Sequence, residues 1–207
     1  MQRNELQGTE AWFKAREGKL TASMFGQAAG LGPGSRQQAW RRQFGLEVFE
    51  GNEATDYGTA NEPNALAAYN RTCAGLDTNI ELVGFMPHRE YDWLGGSPDL
   101  LIDTRGMGEI KCPYSGVLYP EMPIYYMAQV QGLLEVTDRD WCDFIVWTPE
   151  RMSVRRIVRS DDYWRWLHVR LAEFWMYVVA QVEPPRSKKP SPLETAHLVV
   201  SEKIIEL

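Results

Sequence analysis

Residues 97–113 read SPDLLIDTRGMGEIKCP, two β-favouring runs around a short polar break, and this stretch decides the fold. Asp99 to Asp103 and Met107 to Cys112 carry the apolar residues of two strands, and Thr104, Arg105 and Gly106 supply a turn. A tight turn over Thr104–Gly106 sets Asp103 opposite Met107, Leu101 opposite Glu109 and Asp99 opposite Lys111. Side chains alternate along a strand, so Asp99, Glu109 and Lys111 then project from one face, with the Ile110 carbonyl near the same edge. A bulge at the turn would change that register.

Two carboxylates and a backbone carbonyl make a hard oxygen site suited to Mg²⁺ or Mn²⁺, ions that keep several waters and bind phosphate. A lysine beside them can hold or deprotonate an attacking water, and its ammonium can stabilise charge on a phosphate. The chemistry implied is phosphodiester hydrolysis. The same spacing also fits an ordinary hairpin with solvated charges, so the rest of the chain has to decide.

Upstream, Thr9 precedes Glu10, Ala11, Trp12, Phe13 and Lys14 as the N-cap of a short helix. A second helix is expected from about Thr21 to Gly30, a loop over Leu31–Ser35 where Gly32, Pro33 and Gly34 cluster, and a third helix over Arg36–Phe49. Gly58–Tyr69 reads as a further helix, with Leu66 and Tyr69 on one face, and Ile80–Met86 has strand character. Downstream, Pro123–Glu135 is helical, and Trp141–Trp147 and Met152–Val158 are strands joined by a turn at Thr148, Pro149 and Glu150. Asp161 and Asp162 suit the positive end of a long helix, whose core stripe is Trp164, Leu167, Leu171, Phe174, Trp175 and Val178. Strands set among helices read as one α/β domain over residues 1–182. The proline-rich run from Glu183 to Pro192 cannot continue a helix, so 183–207 is a Pro-rich linker and C-terminal tail. Its apolar residues Leu198, Val199, Val200, Ile204 and Ile205 suit docking on the body or on a neighbouring subunit.

With 207 residues, 44% of them hydrophobic, the chain can bury a core of its own. Cys73, Cys112 and Cys142 are scattered, odd in number and form no CxxC pair, so neither a disulfide framework nor a zinc ribbon is read and a reducing cytosol is expected. Three such thiols also fall short of the four thiolates of an iron–sulfur cluster. Cys112 is read as filling space behind its strand, and His88, His168 and His197 as structural or exposed. Met1 to Glu10 lacks the basic and apolar regions of a signal peptide, and no apolar run reaches the ~18 residues of a membrane span, so a soluble, cytoplasmic protein is expected. The formal net charge of −6 argues at first against a nucleic-acid partner, because Lys and Arg normally neutralise phosphate there. The deficit is local: residues 51–110 hold three Lys/Arg against ten Asp/Glu. An acidic middle that collects divalent cations reverses its own sign, although a solvated acidic surface has the same composition.

Five blocks then follow one another along the chain. They are Trp12, Arg16 and Thr21-Ala22-Ser23; Gly58 with Glu62; Ser97-Pro98-Asp99; Glu109-Ile110-Lys111-Cys112-Pro113; and Tyr126-Met127-Ala128-Gln129-Val130-Gln131. In that order, over about residues 9 to 160, the sequence resembles the phage lambda exonuclease and YqaJ-type viral recombinase family of P-D…(D/E)-x-K nucleases.

The resemblance implies a restriction-endonuclease-like core, a central mixed β-sheet flanked by α-helices, with residues 1–182 as a single nuclease domain. It implies a Mg²⁺-dependent 5′-to-3′ exodeoxyribonuclease, with Mn²⁺ able to substitute and two ions per site. Such an enzyme digests one strand of linear double-stranded DNA and leaves a 3′ single strand for a single-strand annealing protein in recombination. Asp99 and Glu109 would be metal ligands with the Ile110 carbonyl, Lys111 the water-activating group, Glu62 a ligand of the second metal, and Gln129 a support for water or substrate. Arg16 and Ser23 match positions that receive a terminal 5′ phosphate, with Arg36 a further DNA contact. A homotrimeric ring around DNA, in the cytoplasm of a bacterial or phage-infected cell, is the implied assembly and setting. Two other functions stay open on the same residues: an endonuclease or nickase, and a DNA-binding protein without catalysis.

Overall fold

The computed structural model describes residues 7–47, 51–75, 77–186 and 188–207. In chain order it contains α1 (Glu10–Arg16), β1 (Leu20–Thr21), a 3-10 turn (Ala22–Met24), α2 (Phe25–Ala28), α3 (Arg36–Gln43), α4 (Glu53–Thr72), β2 (Ile80–Glu81) and β3 (Met86–Pro87). There follow β4 (Leu94–Gly96), β5 (Leu100–Ile102), β6 (Gly106–Lys111), α5 (Ile124–Thr137), β7 (Trp141–Trp147), β8 (Arg151–Val158), α6 (Asp161–Val179) and β9 (Val199–Glu206). The larger sheet has the order β2-β5-β6-β7-β8-β9, and a small sheet has the order β1-β4-β3. β6 and β7 run parallel, with α5 as their crossover, and the other neighbours in the larger sheet are antiparallel.

Strand alternation divides the core. Leu100, Ile102, Ile110, Cys112 and Ile145 face α4, where Ala65, Ala68 and Tyr69 cover them. Leu101, Met107, Phe144 and Val146 face the other way, against Val130, Leu133 and Leu134 of α5 and Leu167 and Phe174 of α6. The sheet is therefore apolar on both faces and covered by helices on each, which is why β7 reads as a nearly continuous apolar run. The stripe expected on α6 packs as anticipated: Leu167, Leu171 and Phe174 are fully buried, and Trp175 stays partly exposed against the core.

The β5–β6 turn sits one residue earlier than the sequence suggests. Leu101 pairs with Met107 and Ile102 with Gly106, so the turn is Asp103–Arg105 and the register differs by two positions from the expected one. The cause is Asp103, which takes the left-handed conformation (φ 48°) and is pinned by Asn79, whose N–H donates to Asp103 Oδ1 at 2.9 Å. Aspartate tolerates that conformation better than most residues. A two-residue slip preserves the faces, so Asp99, Glu109 and Lys111 still share one.

Other boundaries move for identifiable reasons. The helix expected from Thr21 to Gly30 begins only at Phe25, because Leu20 and Thr21 pair with Leu94 and Gly95 as a parallel strand. α2 then packs on α5 at glycine contacts: a Cβ on Gly132 would lie 2.3 Å from Phe25, and one on Gly26 would lie 2.6 Å from Tyr125. α3 starts as expected, on a capping box between Ser35 and Gln38. It stops at Gln43, with Gly45 at φ 65°; Val48 and Phe49 lie outside the described residues. α4 starts five residues before Gly58, capped by Asn52, and carries Pro63 inside it. The strand expected over Ile80–Met86 is two short ones, β2 in the larger sheet and β3 in the small sheet. The tail does not hang free. Val199–Glu206 adds to β8 as the edge strand of the larger sheet, with Leu198 buried. No helix among the described residues is long and apolar enough to cross a membrane.

Candidate active site

Asp99 stands just before β5, at the point where β6 runs on past its partner. Its Oδ2 accepts a 2.7 Å hydrogen bond from the Ile110 N–H. The N–H and C=O of one strand residue point to the same side, so the Ile110 carbonyl faces the same open edge. Glu109 and Lys111 flank Ile110 on the α5 side of the sheet, with Lys111 Nζ 2.6 Å from Glu109 Oε1. From α5, Gln129 Nε2 donates to that same oxygen at 2.6 Å. One cavity of about 220 Å³ is lined by Asp99, Glu109, Lys111 and Gln129 together with Arg16 and Ser23.

Arg16, at the end of α1, lays its guanidinium 4.0 Å from the centre of the Trp12 ring, and Trp12 Nε1 donates to Ser97 Oγ at 2.9 Å. That chain of contacts ties α1 to the strand entry that carries Asp99. Ser23 sits in the 3-10 turn, its hydroxyl 3.2 Å from the Thr21 hydroxyl. Glu62 reaches the site from the opposite helical layer. It lines one cavity with Asp99 and Ile110 and a groove with Lys111, Pro113 and Tyr114. Pro63 has no N–H to give to the Thr59 carbonyl, so the hydrogen-bond ladder of α4 is interrupted beside Glu62.

The electrostatics are those of crowded acids. Burial pushes Glu109 up to about 8, the Asp99 charge adds to this, and Lys111 opposes it. Burial and then Asp99 push Glu62 up to about 7, again against Lys111. Asp99 is raised by burial, with Lys111, the Ile110 N–H and Gln7 pulling the other way. Burial by itself would lower Lys111, but Glu109 and Asp99 outweigh it and hold the ammonium protonated. Among the described residues no three His, Cys, Asp or Glu side chains gather into a ready metal cage. Yet Glu109 Oε2 is buried without a hydrogen-bond partner, beside two further carboxylates that repel it. An unsatisfied anionic oxygen in that position fits a cation, and the donor set of Asp99, Glu109 and the Ile110 carbonyl is the hard-oxygen kind that Mg²⁺ or Mn²⁺ takes.

Arg36 is not brought here. It pairs with Glu173 of α6 at 3.3 Å and lines a separate cavity, because the capping box turns the first residue of α3 toward α6. Cys112 lies in the core under α4, as expected. Gln7 went unnoticed in the sequence: its Nε2 donates to the Pro98 carbonyl at 3.2 Å, and it lines the cavity with Asp99. No motif surrounds it, so nothing local announced it. Tyr126 was visible only as part of a motif; its ring lies 4.9 Å from Lys111 Nζ.

Residues 11–140 match the YqaJ-like viral recombinase domain family. No curated protein matches the sequence. Among solved structures, an alkaline exonuclease, LHK-Exo from Laribacter hongkongensis, is 29% identical with a TM-score of 0.69, over 84% of this chain and 95% of that one. The same enzyme in complex with dAMP aligns at 27% identity, TM-score 0.69, over the same shares. A phage-related exonuclease from Haemophilus somnus 129PT, at 16% identity and TM-score 0.56 over 79% of this chain and 96% of that one, shares the fold. The architecture is the restriction-endonuclease-like one of these exonucleases, a mixed sheet flanked by helices.

Proposed function

The chain belongs to the YqaJ-like viral recombinase domain family, and from that premise we propose that it is a metal-dependent 5′-to-3′ exodeoxyribonuclease acting on linear double-stranded DNA. The observation that carries this reading is the single cavity that gathers Asp99, Glu109, Lys111 and Gln129 with Arg16 and Ser23. Hydrolytic groups and a cationic end-receptor then share one wall. The similarity to an alkaline exonuclease supports the nuclease activity.

We assign Asp99, Glu109 and the Ile110 carbonyl to one Mg²⁺ or Mn²⁺ and Glu62 to the approach of a second. Bound there, such ions would lower the pKa of water and offset negative charge on the phosphate. Lys111 holds the attacking water by N–H donation and stabilises the charged phosphate. With Asp99 and Glu109 engaged by a cation, the charges that raise Lys111 are compensated. Its burial would then favour the neutral amine, which would take the proton of that water and, as the ammonium, face the charge on the phosphate. Gln129 fixes the Glu109 carboxylate. Arg16 and Ser23 receive a 5′ phosphate through a guanidinium fork and a hydroxyl. The family resemblance supports a homotrimeric ring and a single-strand annealing partner for the 3′ strand that remains.

Nucleotide release from linear duplex DNA, with and without Mg²⁺, tests the proposal against covalently closed circular duplex. Release from linear DNA alone is expected. Opening of the circle would make the protein an endonuclease, and no metal-dependent release from either would refute the nuclease reading.

A further inference from the structure

A further cavity, of about 580 Å³, lies between the loop before α3, the first turn of α3 and the chain that follows α6. Arg36, Arg41, Arg186 and Lys189 line it, with Glu183 as the one acid among the described residues of its wall. Arg36 is the decisive residue. Its side chain is 10% exposed and one nitrogen, Nη1, pairs with Glu173. Nε and Nη2 are buried and have no hydrogen-bond partner among the described residues. Leaving two donors of a buried guanidinium unsatisfied is costly unless something accepts them.

The remaining wall points the same way. Ser35, Arg36 and Gln37 at the start of α3 line the cavity; the capping box takes the Ser35 and Gln38 amides, and the Arg36 and Gln37 amides, with no intrahelical acceptor, favour an anion. Arg41 is occupied by a two-pronged contact to Glu183 at 3.1–3.2 Å, which anchors the tail. Pro190 packs against Gly30, where a Cβ would stand 3.4 Å from it. Between these anchors Arg186 and Lys189 are exposed, and no described carboxylate pairs with either. A fork of donors with further cations at the mouth is the chemistry that recognises phosphate.

We propose that this cavity is a phosphate-binding site, separate from the catalytic pocket, that holds a backbone phosphate of the duplex DNA. The identity of the ligand rests on the nuclease reading; the anion site does not. The loop before α3 is a shared wall: Pro33 lines the groove that also holds Glu62 and Lys111, and Gly30 and Gly34 line this cavity. The loop thus sets the cavity beside the groove in which DNA would lie. Inorganic phosphate is the other source of the same chemistry.

Binding of a labelled linear duplex without divalent metal, at several salt concentrations, tests the site in the wild type and in three variants. These are the double substitution Arg186→Ala with Lys189→Ala, Arg36→Lys, and Lys188→Ala as an exposed control outside the wall. The double variant is expected to bind duplex about tenfold more weakly and to lower the slope of log K against log salt by about one. Arg36→Lys, which keeps the charge but not the fork, should lose most of the same affinity, and Lys188→Ala should change neither quantity. A second arm reads the rise in melting temperature with inorganic phosphate, which the double variant should reduce. Equal losses in the control and double variants would reduce the effect to general surface charge and overturn the site. Phosphate stabilisation lost in the double variant with duplex binding intact would support the anion site and overturn DNA as its occupant. No change in either arm would overturn both. Nucleotide release by the wild type with Mg²⁺ is read separately, so failure of the nuclease reading leaves the binding curves to judge the cavity.

Discussion

Gln129 on α5 and Glu109 on β6 meet through a 2.6 Å hydrogen bond from Nε2 to Oε1. Lys111 takes the same oxygen at 2.6 Å, so Oε1 is engaged and Oε2 is the oxygen left for the proposed cation. The helix that crosses between β6 and β7 thereby orients a carboxylate on the strand it leaves. Replacing Gln129 by Leu keeps the volume and removes the donor. Nucleotide release is expected to fall about 10- to 100-fold, the range for groups that orient a metal ligand, with the circular dichroism spectrum unchanged. Wild-type rates in the variant would remove Gln129 from the site.

Lys111→Ala and Asp99→Ala are each expected to reduce hydrolysis by about a thousandfold or more, because the proposed function gives Lys111 the water and phosphate and Asp99 the metal ion. Near-normal turnover in either, measured with Mg²⁺, would sink the assignment. Ca²⁺ should not replace Mg²⁺, since it takes more ligands at longer range.

Metal binding should be visible in stability as well as in activity. Glu109 is raised from 4.5 to about 8 and Glu62 from 4.5 to about 7, so the folded chain keeps protons that the unfolded chain has lost. Stability of the metal-free protein from these groups is therefore greatest below about pH 4.5 and declines as pH rises towards 8. A divalent cation engages the ionised carboxylates, so its stabilising effect grows over the same window. Melting with and without Mn²⁺ at pH 6 and pH 8.5 checks this. A larger increment at pH 8.5, diminished in Glu109→Gln, is expected, and equal increments at both would contradict it.

A 5′ phosphate should accelerate digestion, and Arg16→Ala should remove most of that advantage. Burial lowers the Arg16 pKa, and its stacking on Trp12 holds the guanidinium at the cavity wall, so it is poised to accept a charged partner. Charge-assisted hydrogen bonds contribute about 1.5–3 kcal/mol, roughly tenfold or more in rate. Duplexes ending in 5′ phosphate and 5′ hydroxyl, compared in wild type and variant, give the measurement; a preference kept intact by the variant would free Arg16 of this role.

His88 makes the fold acid-sensitive away from the active site. Its Nδ1 accepts from the Glu90 and Tyr91 N–H groups at 3.0 and 3.2 Å, and burial, against the pull of Glu135, lowers its pKa. The unfolded chain takes up a proton near pH 6.5 that the folded chain resists, so stability falls as pH drops below that value. His88→Asn keeps an acceptor in place and should lose less between pH 7 and pH 5 than the wild type does. Parallel melting curves for the two proteins over that range would contradict the account.

The sequence by itself determined which charged side chains share one face of the hairpin. Alternation in two short strands puts Asp99, Glu109 and Lys111 on one face whether the turn is at Thr104 or Asp103, because a slip of two leaves the faces alone. Helix periodicity likewise placed the buried stripe of α6, since burial there follows from one local repeat. What only the tertiary structure decided depends on contacts between segments far apart in the chain. Asn79 bending Asp103 set the register, and Leu94 and Gly95 drew Leu20 and Thr21 into a strand. Gln7 came to the cavity without a motif, Glu173 drew Arg36 away from it, and β8 gave the tail a place in the sheet. Local preferences are worth tenths of a kcal/mol per residue and are readable in order. Partners chosen by packing and by buried charge are worth more, and appear only when the chain has closed on itself.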